Sequence, residues 1–147
     1  MKMIRIPSWW LLGLGIFLAG CSPADRDSGP VFEDAWIRDI PPGMKMTAGF
    51  GKLSNPEPLA IGITSYSSPD FADVSLHRTE MVDGMSKMRE VPLLTIPAGE
   101  TIELAPGGYH LMLMMPSGEV QEGQTIRIEM TAGDGRTFDF DVPVEGR

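Results

Sequence analysis

The chain has 147 residues, with 12 basic and 20 acidic side chains, two histidines, one cysteine and a net charge of −8. A single thiol excludes Fe–S clusters and cysteine-rich zinc sites. The acidic balance argues against nucleic acid, whose phosphates are met by Lys and Arg, and against electrostatic docking on anionic lipid.

Lys2 and Arg5 precede an apolar run of 11 residues, Trp9 to Ala19, followed by Gly20 and Cys21. That run is too short for a bilayer, which needs about 20 residues, so residues 1–20 are expected to be a secretory signal peptide. Leu18-Ala19-Gly20-Cys21 resembles the bacterial lipobox, which implies that Cys21 becomes the lipidated first residue of the mature chain. Residues 21–30 then form the lipidated cysteine and a tether, because the stretch from Ser22 to Pro30 is polar and Pro/Gly-bearing with no apolar period. The mature chain keeps 10 basic and all 20 acidic residues, giving it a charge of −10. If Cys21 carries lipid, the domain from 31 to 147 has no thiol at all.

Beyond residue 30 the dominant period is two. Thr125–Met130 and Thr137–Val142 alternate apolar with polar residues, and the Gly-bearing segment 132–136 between them predicts an antiparallel hairpin. Seven more strands are expected at Phe32–Arg38, Thr47–Leu53, Leu59–Tyr66, Asp73–Arg78, Lys87–Val91, Thr101–Leu104 and Tyr109–Met114. Turn residues separate them at 41–43, 55–56, 83–84, 97–99 and 106–108. No stretch holds a helical period for ten residues. Many short strands in about 115 residues predict an all-β Greek-key β-sandwich.

Both histidines fall in one pattern: His77, ten residues, Met88, twenty-one residues, His110, one residue, Met112. Two imidazoles and two thioethers form a soft donor set that favours Cu(I) over zinc, calcium or magnesium. His110 and Met112 are i and i+2 on a predicted strand and share one face, with Cα atoms about 6.7 Å apart. His77 is expected to end one strand and Met88 to begin the return strand after Asp83-Gly84. Thioethers, unlike thiolates, cannot be oxidised to disulfides outside the cytoplasm. Protonation of either histidine competes with a metal, so binding should weaken below about pH 6.

Methionine is more often core filler than ligand, and nine methionines remain after the signal. Met130 alternates with Ile126 and Ile128 and is expected in the core. Met44 and Met46 either line the site's rim or simply pack. Met81, Met85, Met114 and Met115 lie near the candidate ligands, with Met114 on the face of His110 and Met112.

At these residues the chain resembles the PCu(A)C family of periplasmic copper chaperones, whose hallmark is H-x10-M-x21-H-x-M. The resemblance extends through Asp34-Ala35-Trp36-Ile37-Arg38, Ala48 to Asn55, Lys87 to Val91, Ile96 to Gly99 and Pro106 to Met114. It implies a cupredoxin-like fold and Cu(I) held by His77, Met88, His110 and Met112. It further implies copper delivery to cytochrome c oxidase subunit II, directly or with thioredoxin-like copper chaperones. The His/Met-rich tail of some members has no counterpart in Val142 to Arg147, and Met115-Pro116 departs from the expected small residue and Leu.

Two rival functions remain. One is an envelope copper buffer or resistance protein without a dedicated oxidase target. The other is a non-metal β-sandwich binding module whose His and Met are structural. A blue-copper carrier needs a cysteine ligand and is excluded, and no constellation suggests an enzyme. Ser22 after the lipidated cysteine, where Asp often signals inner-membrane retention, favours the outer membrane on the periplasmic side.

Overall fold

A computed structural model describes residues 29–147. The signal peptide, Cys21 and most of the tether lie outside the described residues. Ten strands follow in chain order: β1 Val31–Arg38, β2 Met46–Ser54, β3 Ile61–Ser67, β4 Phe71–Val82, β5 Met85–Glu90, β6 Leu94–Ile96, β7 Thr101–Leu104, β8 Tyr109–Pro116, β9 Thr125–Ala132 and β10 Thr137–Glu145. Nine overlap the expected strands. The tenth, β6, has only three residues between Pro92 and Pro97, too few for a period to register. At the other end, Pro30 is buried, and Gly29 lies so close to Phe138 that a Cβ would stand 2.3 Å from its ring. The last two residues of the expected tether are thus packed on the fold.

The sheet runs β5-β4-β8-β7-β2-β1-β10-β9-β3-β6, with further pairings β4–β3 and β8–β2. The β3–β4 contact, Tyr66 opposite Val74, joins the strands next to the two ends of that order and closes the sheet on itself. The result is an all-β, cupredoxin-like sandwich closed into a barrel. Strand alternation fills its interior: Leu53, Leu76, Leu111, Leu113, Ile128, Met130, Val142 and Val144 are essentially inaccessible to solvent. Each such side chain contributes about 1.5–3 kcal/mol by leaving water. Met130 is a core residue, as expected. The β9–β10 hairpin also forms as expected, Met130 facing Phe138 and Ile126 facing Val142.

Two irregularities position the region around His110. The first is a bulge: β1 pairs β2 as Glu33–Lys52 but then as Trp36–Phe50, a slip of one residue. Asp34 adopts φ 49° there, and Gly51 opposite it adopts φ 150°. A Cβ on Gly51 would come within 2.8 Å of the Ala35 Cα. A one-residue slip exchanges the two faces of a strand. Ile37 therefore points into the core, and Trp36 lies outside against Phe50, ring centroids 4.7 Å apart.

The second is the length of β4. Asp83 and Gly84 both have positive φ, 54° and 74°, the geometry of a type I′ turn whose twist matches that of its strands. The turn fixes Val82 opposite Met85, and β4 and β5 pair from there back to His77 opposite Glu90. The pairing of β4 with β8 stops at Arg78–Tyr109, so Thr79–Val82 extends past β8 as part of a two-stranded ribbon. This corrects the expectation that His77 ends its strand and Met88 begins the next. Both are interior residues of longer strands. Thr-Glu-Met-Val has no buried face, so it carries no alternation to reveal a strand.

Candidate metal centre

The hairpin register explains the spacing of ten residues. Thr79 faces Met88, so Met88 is displaced by two positions from the residue opposite His77. Displacement by two keeps both on one face as diagonal neighbours, within reach of long side chains. The spacing between Met88 and His110 is explained by β8. His77 lies directly opposite His110, and Ser75 directly opposite Met112. His77, Met88, His110 and Met112 therefore share the outer face of three adjacent strands, β5, β4 and β8. On β8 the alternation is plain: Leu111 and Leu113 are buried in the core, while His110, Met112 and Met114 point the other way.

The two imidazoles sit side by side, ring centroids 6.1 Å apart and 27° from parallel. His110 is only 6% exposed although it faces outward. Phe50 packs beside it at 6.4 Å between centroids. Trp36 backs Phe50, and the Arg38 guanidinium lies 5.7 Å from the Phe50 ring. A second guanidinium, Arg147, stands 5.0 Å over Trp36. This wall is what the bulge at Asp34 and Gly51 supplies. Sequence reasoning missed it, since the alternation of β1 alone would have placed Trp36 inside.

Hydrogen bonds set which ring nitrogen of His110 is free. Its Nδ1 lies 3.2 Å from the Gly108 carbonyl. A carbonyl only accepts, so Nδ1 carries the proton and Nε2 keeps its lone pair, the usual arrangement of a metal-ligating imidazole. His77 Nε2 lies 2.9 Å from the Ser75 hydroxyl. Ser75, two residues before His77 on the same face, also went unremarked in the sequence.

His110, Met112 and Met88 line one cavity of about 370 Å³, together with Arg38, Asp39, Pro41, Met44, Met46, Thr47 and Ala48. His77 is not part of that lining and borders the site from β4. Met88 is about half exposed. Met44 and Met46, left between rim and packing by the sequence, both line the cavity and are 54% and 50% exposed. Met114 shares the ligand face but stands opposite Met46 and Asp73, outside the cavity lining. Met81 lies on the projecting part of β4, and Met115, near the end of β8, adopts φ 52° and is exposed. Among the described residues, no three His, Cys, Asp or Glu side chains converge as a hard or borderline metal site would require. The candidate side chains that share this face are imidazole and thioether, soft donors of the kind Cu(I) prefers.

A cupredoxin-like sandwich with a soft imidazole–thioether face defines the class. The chain belongs to the family described as "Putative lipoprotein LpqE-like", whose model matches residues 31–144. It is 34% identical over 128 residues to "Putative lipoprotein Lxx21020" of Leifsonia xyli subsp. xyli (strain CTCB07), covering 84% of this chain and 74% of that protein. The solution structure of CuI-DR1885 from Deinococcus radiodurans is similar, with a TM-score of 0.65 and 32% identity over 80% of this chain and 78% of that one. The copper-bound PCuAC domain from PmoF2 shares the fold, with a TM-score of 0.64 and 19% identity over 79% of this chain and 92% of that domain.

Proposed function

We propose that the protein is a lipid-anchored, extracytoplasmic Cu(I) chaperone and that His77, Met88, His110 and Met112 hold the ion. The observation that carries this reading is the register. The two long spacings of the sequence pattern become a cross-strand histidine pair and a diagonal methionine on one face. Similarity to a protein solved in its Cu(I) form supports the choice of metal. Cu(I) is the cargo here, and every proposed ligand is neutral, so the bound ion keeps its single charge. Such a site exchanges readily, because an incoming thioether or thiolate can add before a resident ligand leaves. Met88, half exposed at the outer end of the set, is the ligand we assign to leave first.

Residues 1–20 are proposed as the signal peptide, Cys21 as the lipidated residue, and the fold from 31 to 147 as the copper-binding domain. Membership of a lipoprotein family supports the anchor. The proposed location is the periplasmic side of the cell envelope, on the outer membrane. The proposed acceptor is the copper site of cytochrome c oxidase subunit II, reached directly or through thioredoxin-like copper chaperones.

Anaerobic Cu(I) titration against a competing chelator tests the site. High-affinity binding that His77→Ala and His110→Ala each weaken by orders of magnitude is expected. No binding leaves a non-metal β-sandwich module, and binding indifferent to both variants overturns the four-residue site. Transfer of Cu(I) to a purified oxidase copper domain separates a chaperone from a buffer, which would hold the ion without giving it up. For the anchor, Cys21→Ala should abolish lipid labelling and release the protein from membranes.

A further inference from the structure

The cavity beside the four proposed ligands holds more sulfur than one ion needs. Met44 and Met46 line it with Met88, Met112 and His110, yet neither belongs to the spaced pattern. Their placement is fixed by backbone. Met44 closes the turn after Pro41-Pro42-Gly43, its N–H donating to the Pro41 carbonyl at 3.1 Å. Met46 opens β2 opposite Met114, and the N–H of Met115 donates to the Lys45 carbonyl between them at 2.7 Å. Two thioethers are thereby held on one lip of the cavity while Met88 enters from β5.

Their exposure is the second observation. At 54% and 50%, they bury too little to be core, and exposed apolar side chains grouped around one cavity mark a functional surface. A volume of about 370 Å³ equals that of about a dozen waters at about 30 Å³ each, more than a single ion occupies. Asp39 adds a negative residue to the same wall and Arg38 a positive one, its guanidinium held 5.7 Å from the Phe50 ring.

We propose that Met44 and Met46 form a second, weaker Cu(I) position at the mouth of the cavity. It rests on the Cu(I) reading of the first site for its choice of metal. Cu(I) tolerates few donors and prefers soft ones, so two thioethers with water or Asp39 suffice for transient binding. Repulsion between two monovalent cations in one cavity makes the second ion at least about tenfold weaker than the first. The pair would serve as the stage between solvent or acceptor and the deeper imidazoles.

The test uses the full chain carrying Cys21→Ser, which removes its one thiol, with methionine methyl groups isotopically labelled. Ag(I), diamagnetic and redox-silent, replaces Cu(I) in an NMR titration. Met88 and Met112 methyls are expected to shift with the first equivalent, and those of Met44 and Met46 with a second. In Met44→Leu/Met46→Leu, which keeps the apolar volume without the sulfur, the second equivalent should vanish and the first remain. If Met88 and Met112 move while Met44 and Met46 stay still, the second site is overturned and the first stands. If all four move together with the first equivalent, or if the double variant still takes the second, a separate site is also overturned. Movement of Met44 and Met46 alone would uphold the pair and overturn the four-residue site. Silence of all four would overturn both.

Discussion

Asn55 and His110 are the two buried polar side chains among the described residues, and they are used in opposite ways. The Asn55 Nδ2 donates to the carbonyls of Leu59 and Ile96 at 2.8 and 3.0 Å, with Pro97 at 3.3 Å, and its Oδ1 accepts from the Glu57 N–H. Its own N–H and carbonyl bind Glu100 and Gly99. Every polar atom is paired with backbone, and the result is a clamp joining the end of β2 to the turn between β6 and β7. His110 pairs only Nδ1, with the Gly108 carbonyl, and Nε2 has no protein partner among the described residues. The Tyr66 hydroxyl is the buried side-chain N or O atom that lacks a partner among the described residues, so the unpaired Nε2 of His110 is accessible to solvent and needs no protein partner. The fully paired residue therefore reads as structure, and the half-paired one, beside a cavity, as a site.

The largest predicted effect breaks the His110 side of this contrast. His110→Ala should lower Cu(I) affinity at least about 1,000-fold, equivalent to about 4 kcal/mol, in a chelator competition, while the protein still unfolds cooperatively. Asn55→Ala should do the reverse. It strips partners from buried carbonyls, and about 3 kcal/mol of stability should be lost in urea unfolding. The folded fraction should bind copper with unchanged stoichiometry. A variant that moved both properties equally would erase the distinction.

Gly51→Ala sharpens the comparison, because it strikes the site from the scaffold. The added Cβ meets the Ala35 backbone and the Phe32 ring, and overpacking of this kind costs about 2 kcal/mol. Since the bulge holds Trp36 and Phe50 against His110, copper affinity should also fall, by about tenfold or less. Near-UV circular dichroism from Trp36 and the chelator competition measure the two consequences separately. Loss of stability with no change in affinity would mean that the wall does not position His110.

The contrast also bears on what the sequence makes legible. Alternation marked β9 and β10, because burial on one face prints a period of two on the residues, and turn residues bracketed seven more strands, among them β5, which is exposed throughout. The soft donor set was visible because residue type determines ligand chemistry, whatever the fold. Register was not visible. That Met88 is diagonal to His77 depends on a two-residue turn at Asp83-Gly84, and that His110 faces His77 depends on how β8 slots beside β4. The outward turn of Trp36 depends on a bulge at a non-glycine residue, Asp34, whose positive φ nothing in its side chain demands. Asn55 could be read as a turn residue before Pro56, but its carbonyl partner at Ile96 is 41 positions away. Local chemistry was readable; long-range pairing was not.

Tyr66 supplies a third kind of buried polar atom and the smallest prediction. Its hydroxyl is buried with no hydrogen-bond partner among the described residues, so it is neither a clamp like Asn55 nor an open ligand like His110. Burial raises its pKa, because the phenolate would leave water without compensation. A folded value above the unfolded one means that the group destabilises the fold only where the unfolded phenol ionises. Stability should be fully present below about pH 10, the ordinary tyrosine value, and should decline as pH rises above it. Tyr66→Phe keeps the ring, removes the unpaired oxygen, and should raise stability by up to about 1 kcal/mol. The variant should also flatten the alkaline decline, since its ring has no proton to lose. Urea unfolding at pH 7 and at pH 10.5 measures both. A destabilised variant at neutral pH would show that the hydroxyl has a partner after all, and would move Tyr66 to the side of Asn55.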